Sequence, residues 1–338
     1  VIQWATGGVG RAAIEGVLAH PDLELVGCWV HAEAKAGMDV GELVGRDPVG
    51  ITASNDVDEV LADEAVVAGI LRSGKSVVTP VGWIYPDRSR TADLEAACAA
   101  GGSTLHGTGI HPGGITERFP LVLSALSGSI TGVRAEEFSD IRTYDAPDVV
   151  RHIMLFGADE ATARGGIMAE VLGHGFGQSV RMVADELGFA LDPELRTVHE
   201  VALAARPIDS PIGVLEPGTV AAQRFEWQGL VDGEPVITAA VNWLMGEEHL
   251  DPAWTFGPEG ERFEIAVEGD PPVNVVFHGL HPDDLASGLA RNRGIVATAM
   301  HCVNAVPYVC EAAPGIRTFL DLPLVAGRAA PQFGRNRR

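Results

Sequence analysis

Residues 1–11, VIQWATGGVGR, combine residue types and a spacing that could hold an anion. Ala5, Gly7 and Gly10 fit the pattern Gly/Ala-x-Gly-x-x-Gly, in which the middle glycine lets a diphosphate approach the backbone and the last lets a helix pack closely. Thr6, Gly7, Gly8, Val9, Gly10 and Arg11 are therefore candidate cofactor-binding residues, with N–H groups turned toward a dinucleotide at a helix N-terminus. The bland alternative is a tight turn. A fold selective for NAD would place a carboxylate at the end of its second strand, but none occurs here before Glu33. His31 and Lys35 stand there instead, and cations suit a 2′-phosphate, which leans the reading to NADP(H) over NAD(H). The alternative is that both are solvated loop residues.

The elements that would position these groups follow a regular alternation. Residues 1–4 predict a strand, 11–19 a helix and 23–30 a second strand, which together make a βαβ unit. The pattern continues through a short strand at 50–52, helices from Asp56 and over 63–73, a strand at 76–80, a helix over 91–100 and a strand from Ser103 into the glycine-rich loop 107–114. This is a doubly wound parallel sheet. Ligands of such sheets lie beyond the carboxyl ends of the strands, which adds Pro80, Gly82, Trp83, Gly107, Thr108 and Gly109 to the cofactor-binding candidates, with Trp83 and Tyr85 as pocket walls. A helix ending near Leu61 runs straight into one starting near Asp63, so a strand and loop are expected to be omitted near Ala62.

From about Ile130 the character changes. A long helical stretch over about 161–188 precedes five β-like segments separated by turns such as Asp232-Gly233, an α+β pattern with an open, mostly antiparallel sheet. The final helix, 294–312, is expected to pack back on the first domain and to offer Asn304 to the cofactor. The predicted division is a dinucleotide-binding domain over 1–125, completed by 294–330, and a substrate and dimerisation domain over 126–293. The glycines of 173–188 follow no strand and read as a bend in a helix rather than a second phosphate loop.

Composition narrows the partners. A formal net charge of −22 and a pI near 4.8 argue against nucleic acid. No apolar run reaches the roughly 20 residues needed to cross a bilayer, so no membrane partner is expected. Cys28, Cys98, Cys302 and Cys310 form no C-x-x-C pair and sit among apolar neighbours, which predicts buried free thiols and a reducing, cytoplasmic setting. The histidines show no ligand spacing, and no metal is predicted. The sequence opens on Val1 with neither methionine nor a signal-type region, and is expected to start a residue or several inside its natural chain. A homodimer is the base-rate assembly, with the apolar run 234–245 as a candidate subunit contact.

Taken in order, VIQWATGGVGRAAI, GTGIHPGG (107–114), VNAVP (303–307) and APGIRTFLDLP (313–323) resemble the dihydrodipicolinate-reductase-like proteins that include 2,4-diaminopentanoate dehydrogenase and the native amine dehydrogenases. The resemblance implies a Rossmann domain with a C-terminal substrate and dimerisation domain. It also implies an NAD(P)H-dependent reductive amination, in which hydride passes to the imine of a small ketone or aldehyde and ammonia, or the reverse deamination of an amine. The His-His and Lys-x-Asp-x-Pro-Ser-Gly-Thr signatures of true dihydrodipicolinate reductases are absent, so lysine biosynthesis is not assigned. The family's GTGVNPG loop matches residues 107–113, with His111 in place of Asn. The glutamate that the resemblance implies just before that loop has no counterpart in Thr104-Leu105-His106.

Proton transfer then falls to other candidates: His106, His111, Glu117 and Asp140, with His301 as a further one. Glu117 could instead offset a helix dipole. Two further readings stay open, a carbonyl or alcohol dehydrogenase working without ammonia and a non-catalytic NADP(H)-sensing protein.

Overall fold

Three short parallel strands open the chain, β1 (Ile2–Trp4), β2 (Gly27–Trp29) and β3 (Ala53–Ser54), hydrogen-bonded in that order. The computed structural model describes residues 1–55, 64–144, 146–166 and 168–333. The strand expected near Ala62 lies outside the described residues. Contacts divide the chain into two units, Val1–Gly109 together with the segment from Ile295 onward, and Ile110–Gly294.

In the first unit, helix α1 (Gly8–Ala19) joins β1 to β2 and buries Ala13, Ile14 and Val17 with Leu25, Cys28, Val30 and Ala53. Each fully buried aliphatic side chain contributes about 1.5–3 kcal/mol. Helix α2 (Val40–Leu43) begins at Asp39, whose carboxylate accepts from Gly41 N at 2.7 Å and from Val49 N and Gly50 N at 2.8 Å, tying the following loop to the helix start. Helices α3 (Glu64–Arg72) and α4 (Ala92–Gly101) alternate with β4 (Val77–Thr79) and β5 (Thr104–Gly107).

Much later in sequence, the helix over 293–311 returns to this unit. Its Ala299 and Val303 join the core around α1, and a Cβ at Gly16 would meet Met300 Cε at 2.0 Å, so the methionine tip packs directly over that glycine. Strand Gly315–Ile316 then pairs in parallel with β5, giving a second parallel sheet in the order Gly315–Ile316, β5, β4. This is the expected Rossmann-type parallel sheet, present as two three-stranded pieces.

In the second unit, helix α5 (Phe119–Ser124) leads into β6 (Gly128–Asp140), and the short α6 (Pro147–His152) and α7 (Glu160–Arg164) precede α8 (Met168–Leu187). The single helical stretch expected over 161–188 is thus two helices. Strands β7 (Arg196–Ala204), β8 (Val220–Val231), β9 (Glu234–Leu244), β10 (Leu250–Asp251), β11 (Arg262–Asp270) and β12 (Val273–Phe277) follow, with helix α9 (Leu285–Ala290) after them and α10 (Arg293–Glu311) crossing into the first unit. The final strand, Gly315–Ile316, is β13. Seven strands form one sheet in the order β10-β7-β8-β9-β6-β11-β12, antiparallel except for the β6–β9 pair. Asp232 and Gly233, at φ 52° and 82°, make the two-residue turn between β8 and β9.

Residue parity decides what each face of this sheet carries. Val133, Phe225, Trp227, Ile237, Ala239 and Val241 pack with Phe176, Val180 and Val183 of α8. The 173–188 glycines expected to bend the helix include Gly173, where a Cβ would lie 2.9 Å from Trp227 Nε1, so that glycine serves close helix–sheet approach. The run 234–245, expected at a subunit contact, places Ile237, Ala239, Val241, Trp243, Leu244 and Met245 in the unit's own core. The thiols also depart from expectation in one case. Cys28, Cys98 and Cys302 are buried, but Cys310, near the end of α10, is exposed.

Candidate functional site

The turn between β1 and α1 is built around the glycines. Gly7 takes the N-cap position with no side chain capping it, and a Cβ placed on Gly7 would meet nothing within 4 Å. The exposed Gly7 thus leaves the start of a twelve-residue helix open to an anion. Gly10 is the opposite case: a Cβ there would lie 2.2 Å from Ala5 O, so only glycine lets α1 sit against β1. Ala5 takes a left-handed φ of 65°, where glycine is the usual residue. Val9 is half-buried and Arg11 exposed.

Lys35 reaches back to this turn, donating to Thr6 Oγ1 at 3.2 Å and to Thr6 O at 3.5 Å. A cation is therefore held at the glycine turn by the segment after β2. His31 is exposed, and its ring meets the edge of Trp29 at 6.0 Å.

Beyond the carboxyl ends of β4 and β5, Pro80, Gly82 and Trp83 run alongside Gly107, Thr108 and Gly109. Gly82 and Trp83 adopt left-handed φ values of 75° and 52°. A Cβ on Gly107 would lie 2.1 Å from Gly82 O, so glycine at 107 admits the β4 loop. Thr108 N donates to Thr79 O at 2.9 Å, and Thr108 Oγ1 pairs with His301 Nδ1 of α10 at 2.7 Å. Asn304, half-buried, lies on the same helix. His106 is 2% exposed and gives its Nδ1 hydrogen to Arg317 O at 2.6 Å, which ties β5 to the segment after β13.

The remaining predicted residues lie in the second unit. Glu117 sits in a π-helical turn (Gly114–Arg118) and is fully buried; its Oε2 accepts from Gly113 N at 3.0 Å, while Oε1 has no hydrogen bond among the described residues. Burial pushes its carboxyl up to about 8, against the pull of the Ser179 and Thr116 hydroxyls and the Gly113 N–H. Asp140 caps the turn Ile141–Thr143 and accepts from Arg142 Nε at 3.0 Å, so its charge is spent on its neighbour. His111 packs edge-on against Phe176 at 4.8 Å and beside Phe263 at 5.6 Å. Its Nε2 bonds Ala240 O at 3.1 Å, and burial holds the imidazole down to about 4.

Beside it lies a group of residues absent from the sequence-based candidates. Ser139 Oγ donates to Glu137 Oε1 at 2.6 Å, and Trp243 Nε1 donates to the same oxygen at 3.2 Å. Ser139 Oγ also pairs with His281 Nε2 at 2.9 Å, and the His281 ring packs on Phe263 at 4.7 Å. Burial raises the Glu137 carboxyl and lowers His281 to about 4. The available signal was parity: Val133 and Ala135 point to the covered face, so Glu137 and Ser139 must share it. Glu261 is also pushed up to about 7, first by burial, and accepts from Asp140 N at 2.7 Å.

Comparison with known proteins places both units. The model described as dihydrodipicolinate reductase, N-terminus, matches residues 1–69, and that described as 2,4-diaminopentanoate dehydrogenase C-terminal domain matches residues 115–332. The chain is 33% identical to an amine dehydrogenase from Streptomyces virginiae, over 96% of each chain. It is 24% identical to 2,4-diaminopentanoate dehydrogenase from Acetoanaerobium sticklandii over 69% of this chain and 61% of that one. In fold it resembles the solved amine dehydrogenase from Mycobacterium smegmatis, with a TM-score of 0.74 at 20% identity, covering 97% of this chain and 96% of that one.

Proposed function

Because the chain belongs to the 2,4-diaminopentanoate dehydrogenase family and is an NAD(P)-dependent oxidoreductase, we propose that it catalyses the reductive amination of a small ketone or aldehyde with ammonia, and the reverse deamination of a primary amine. The observation that carries this reading is the match to the Streptomyces virginiae amine dehydrogenase across nearly the whole of both chains.

The residues of the first unit fit a pyridine dinucleotide. Gly7 leaves space where a diphosphate needs it, and Gly10 fills the place where any side chain would break the turn. In this reading the N–H groups of 7–10 hold the diphosphate, with Thr6 and Arg11 beside it. Lys35, fixed on Thr6, and His31 meet a 2′-phosphate, which favours NADP(H). Pro80, Gly82, Trp83, Gly107, Thr108 and Gly109 line the nicotinamide end, and Asn304 hydrogen-bonds its amide. The bound coenzyme supplies hydride exchange at its C4 position. The protein orients that ring, excludes water from it and holds the proton of the amino group.

For that last task we favour the imidazole at His111, which is half-buried where His106, Glu117 and Asp140 are buried. His106 has committed its Nδ1 hydrogen to Arg317, and Asp140 is paired with Arg142. Glu117, fully buried, is better suited to holding the Gly113 turn than to meeting substrate. A homodimer is part of the same reading and is checked by light scattering.

The test is a panel of aliphatic and cyclic ketones and aldehydes, assayed with NADPH or NADH in the presence and absence of ammonium. Oxidation that depends on ammonium and is faster with NADPH is expected. Equal rates without ammonium would make the protein a carbonyl reductase. Coenzyme binding without turnover across the panel would make it a sensor.

A further inference from the structure

The carboxyl group of Glu137 is held on one side only. Its Oε1 accepts from the Ser139 hydroxyl at 2.6 Å and from Trp243 Nε1 at 3.2 Å, and Ser139 is steadied in turn by His281 Nε2 at 2.9 Å. Its Oε2 has no hydrogen bond among the described residues. Unlike Glu117 Oε1, which is buried without a partner, Glu137 Oε2 keeps accessible surface, and the residue as a whole is half-buried. The half-buried Tyr144, whose phenol is raised in part by the charge of Glu137, also has an accessible hydroxyl with no bond among the described residues.

Charge makes this open oxygen unusual. Burial raises the Glu137 carboxyl, and the groups that pull the other way, Ser139 and Trp243, are both neutral donors on Oε1. The guanidinium groups of Arg142 and Arg262 are committed elsewhere, to Asp140 and to Glu264, Phe256 O and Gly260 O. Water reaching Oε2 would hydrate the carboxylate without offsetting its charge. A cationic N–H donor does both, in a hydrogen bond about twice as strong as a neutral one.

We propose that Glu137 Oε2 binds the ammonium group of the amine substrate, with Ser139 and Trp243 as positioning residues that fix the carboxylate through Oε1. Tyr144 and Trp243 give the contact an aromatic border, which suits a cation. The role is additional to that of His111: Phe263 pairs with Glu137 across β6 and β11, and its ring lies beside the His111 imidazole at 5.6 Å. The other titratable and charged groups around Glu137 are Asp140, Arg142 and Tyr144 beyond it in the chain, Glu261 just before β11 and His281 after β12.

The site rests on the amine reading of the preceding subsection, and its test separates the two. Full-length protein labelled with 15N-tryptophan is titrated with methylammonium chloride, with potassium chloride at equal ionic strength and methanol as references. The signal followed is Trp243 Nε1–H, assigned by its loss in Trp243→Phe. It is expected to move saturably with methylammonium and with neither reference. Glu137→Gln keeps an oxygen to accept from Ser139 and Trp243 and removes the charge. It should weaken methylammonium about tenfold or more and raise the KM of any amine turned over in the same proportion, with a smaller change in kcat. A carboxyl that only holds Ser139 and Trp243 in place would leave both unchanged. Because the carboxylate is the binding form, wild-type affinity should fall as pH drops toward the raised value of Glu137, and Glu137→Gln should lose that fall, keeping only what Glu261 contributes.

No movement with methylammonium, equal movement with potassium, or unchanged affinity in Glu137→Gln overturns the site. A response lost with the charge, in a protein that turns over no amine, supports the site and overturns the amine-dehydrogenase reading alone. Amine turnover with a silent Trp243 and an unchanged KM in Glu137→Gln overturns the site alone. Should Glu137→Gln fail to fold, the wild-type titration and its pH dependence decide the matter.

Discussion

The two units prepare for polar ligands in opposite ways. At the β1–α1 turn the first unit offers backbone N–H groups beside empty space, and a side chain added at Gly7 would touch nothing. In the second unit the polar groups are side chains sunk into a packed core, where Glu117, Glu137, His111 and His281 are all pushed toward their neutral forms by burial. Backbone donors keep their charge distribution at any pH and cost the fold little. Buried titratable side chains make the fold sensitive to pH.

That contrast can be broken by substitution. The largest effect is expected from Gly10→Val, whose Cβ would overlap Ala5 O. Urea denaturation should show a loss of about 3 kcal/mol in the first unit, and calorimetry should show no coenzyme binding.

Next comes Glu117→Gln. A carboxyl raised to about 8 in the folded state and near 4.5 unfolded holds its proton more tightly when folded, so wild-type stability falls as pH rises between those values. The amide removes that fall, and the variant should gain about 3 kcal/mol relative to wild type between pH 5 and about pH 7.5 in denaturant titrations. His111 and His281 act in the opposite sense. Their folded values near 4 lie below the usual 6.5, so the stability they contribute is present above 6.5 and lost as pH falls toward 4.

Gly7→Ala sharpens the comparison, because its φ of −70° and open surroundings accept a methyl group without strain. The variant should melt like wild type yet bind coenzyme about tenfold more weakly, by the loss of one close backbone contact to the diphosphate. The smallest effect is expected from Lys35→Ala, which should lower NADPH affinity about fivefold while leaving NADH unchanged, as for a single partly exposed charge contact, measured by fluorescence titration.

The same contrast explains what could be read from the sequence. The glycine turn was legible because backbone geometry restricts the residue type: Gly10 and Gly107 stand where nothing larger fits. The strand alternation and the Asp232-Gly233 turn were legible for the same local reasons. The second-unit cluster was not, because Trp243 and His281 are remote in sequence from Glu137 and Ser139 of β6 and meet them only after the sheet sets its register. Parity with Val133 and Ala135 marks Glu137 as facing inward but names none of its partners. His106 looks like a free polar residue in sequence, and its engagement by Arg317 O, 211 residues away, depends on folding, whereas the partner of Asp140, Arg142, stands two residues along the same chain.

The return of α10 and β13 to the first unit has a consequence for biosynthesis. Residues 110–294 are complete, with every strand of their sheet, before the ribosome has made the helix that covers α1 or the strand that extends the β5 edge. Until residue 316 has emerged, β5 lacks the neighbour that β13 supplies, and an open strand edge invites pairing with other chains. The nascent polypeptide thus finishes its middle first, and its amino-terminal portion, residues 1–109, waits, partly unshielded, for the last segment translated.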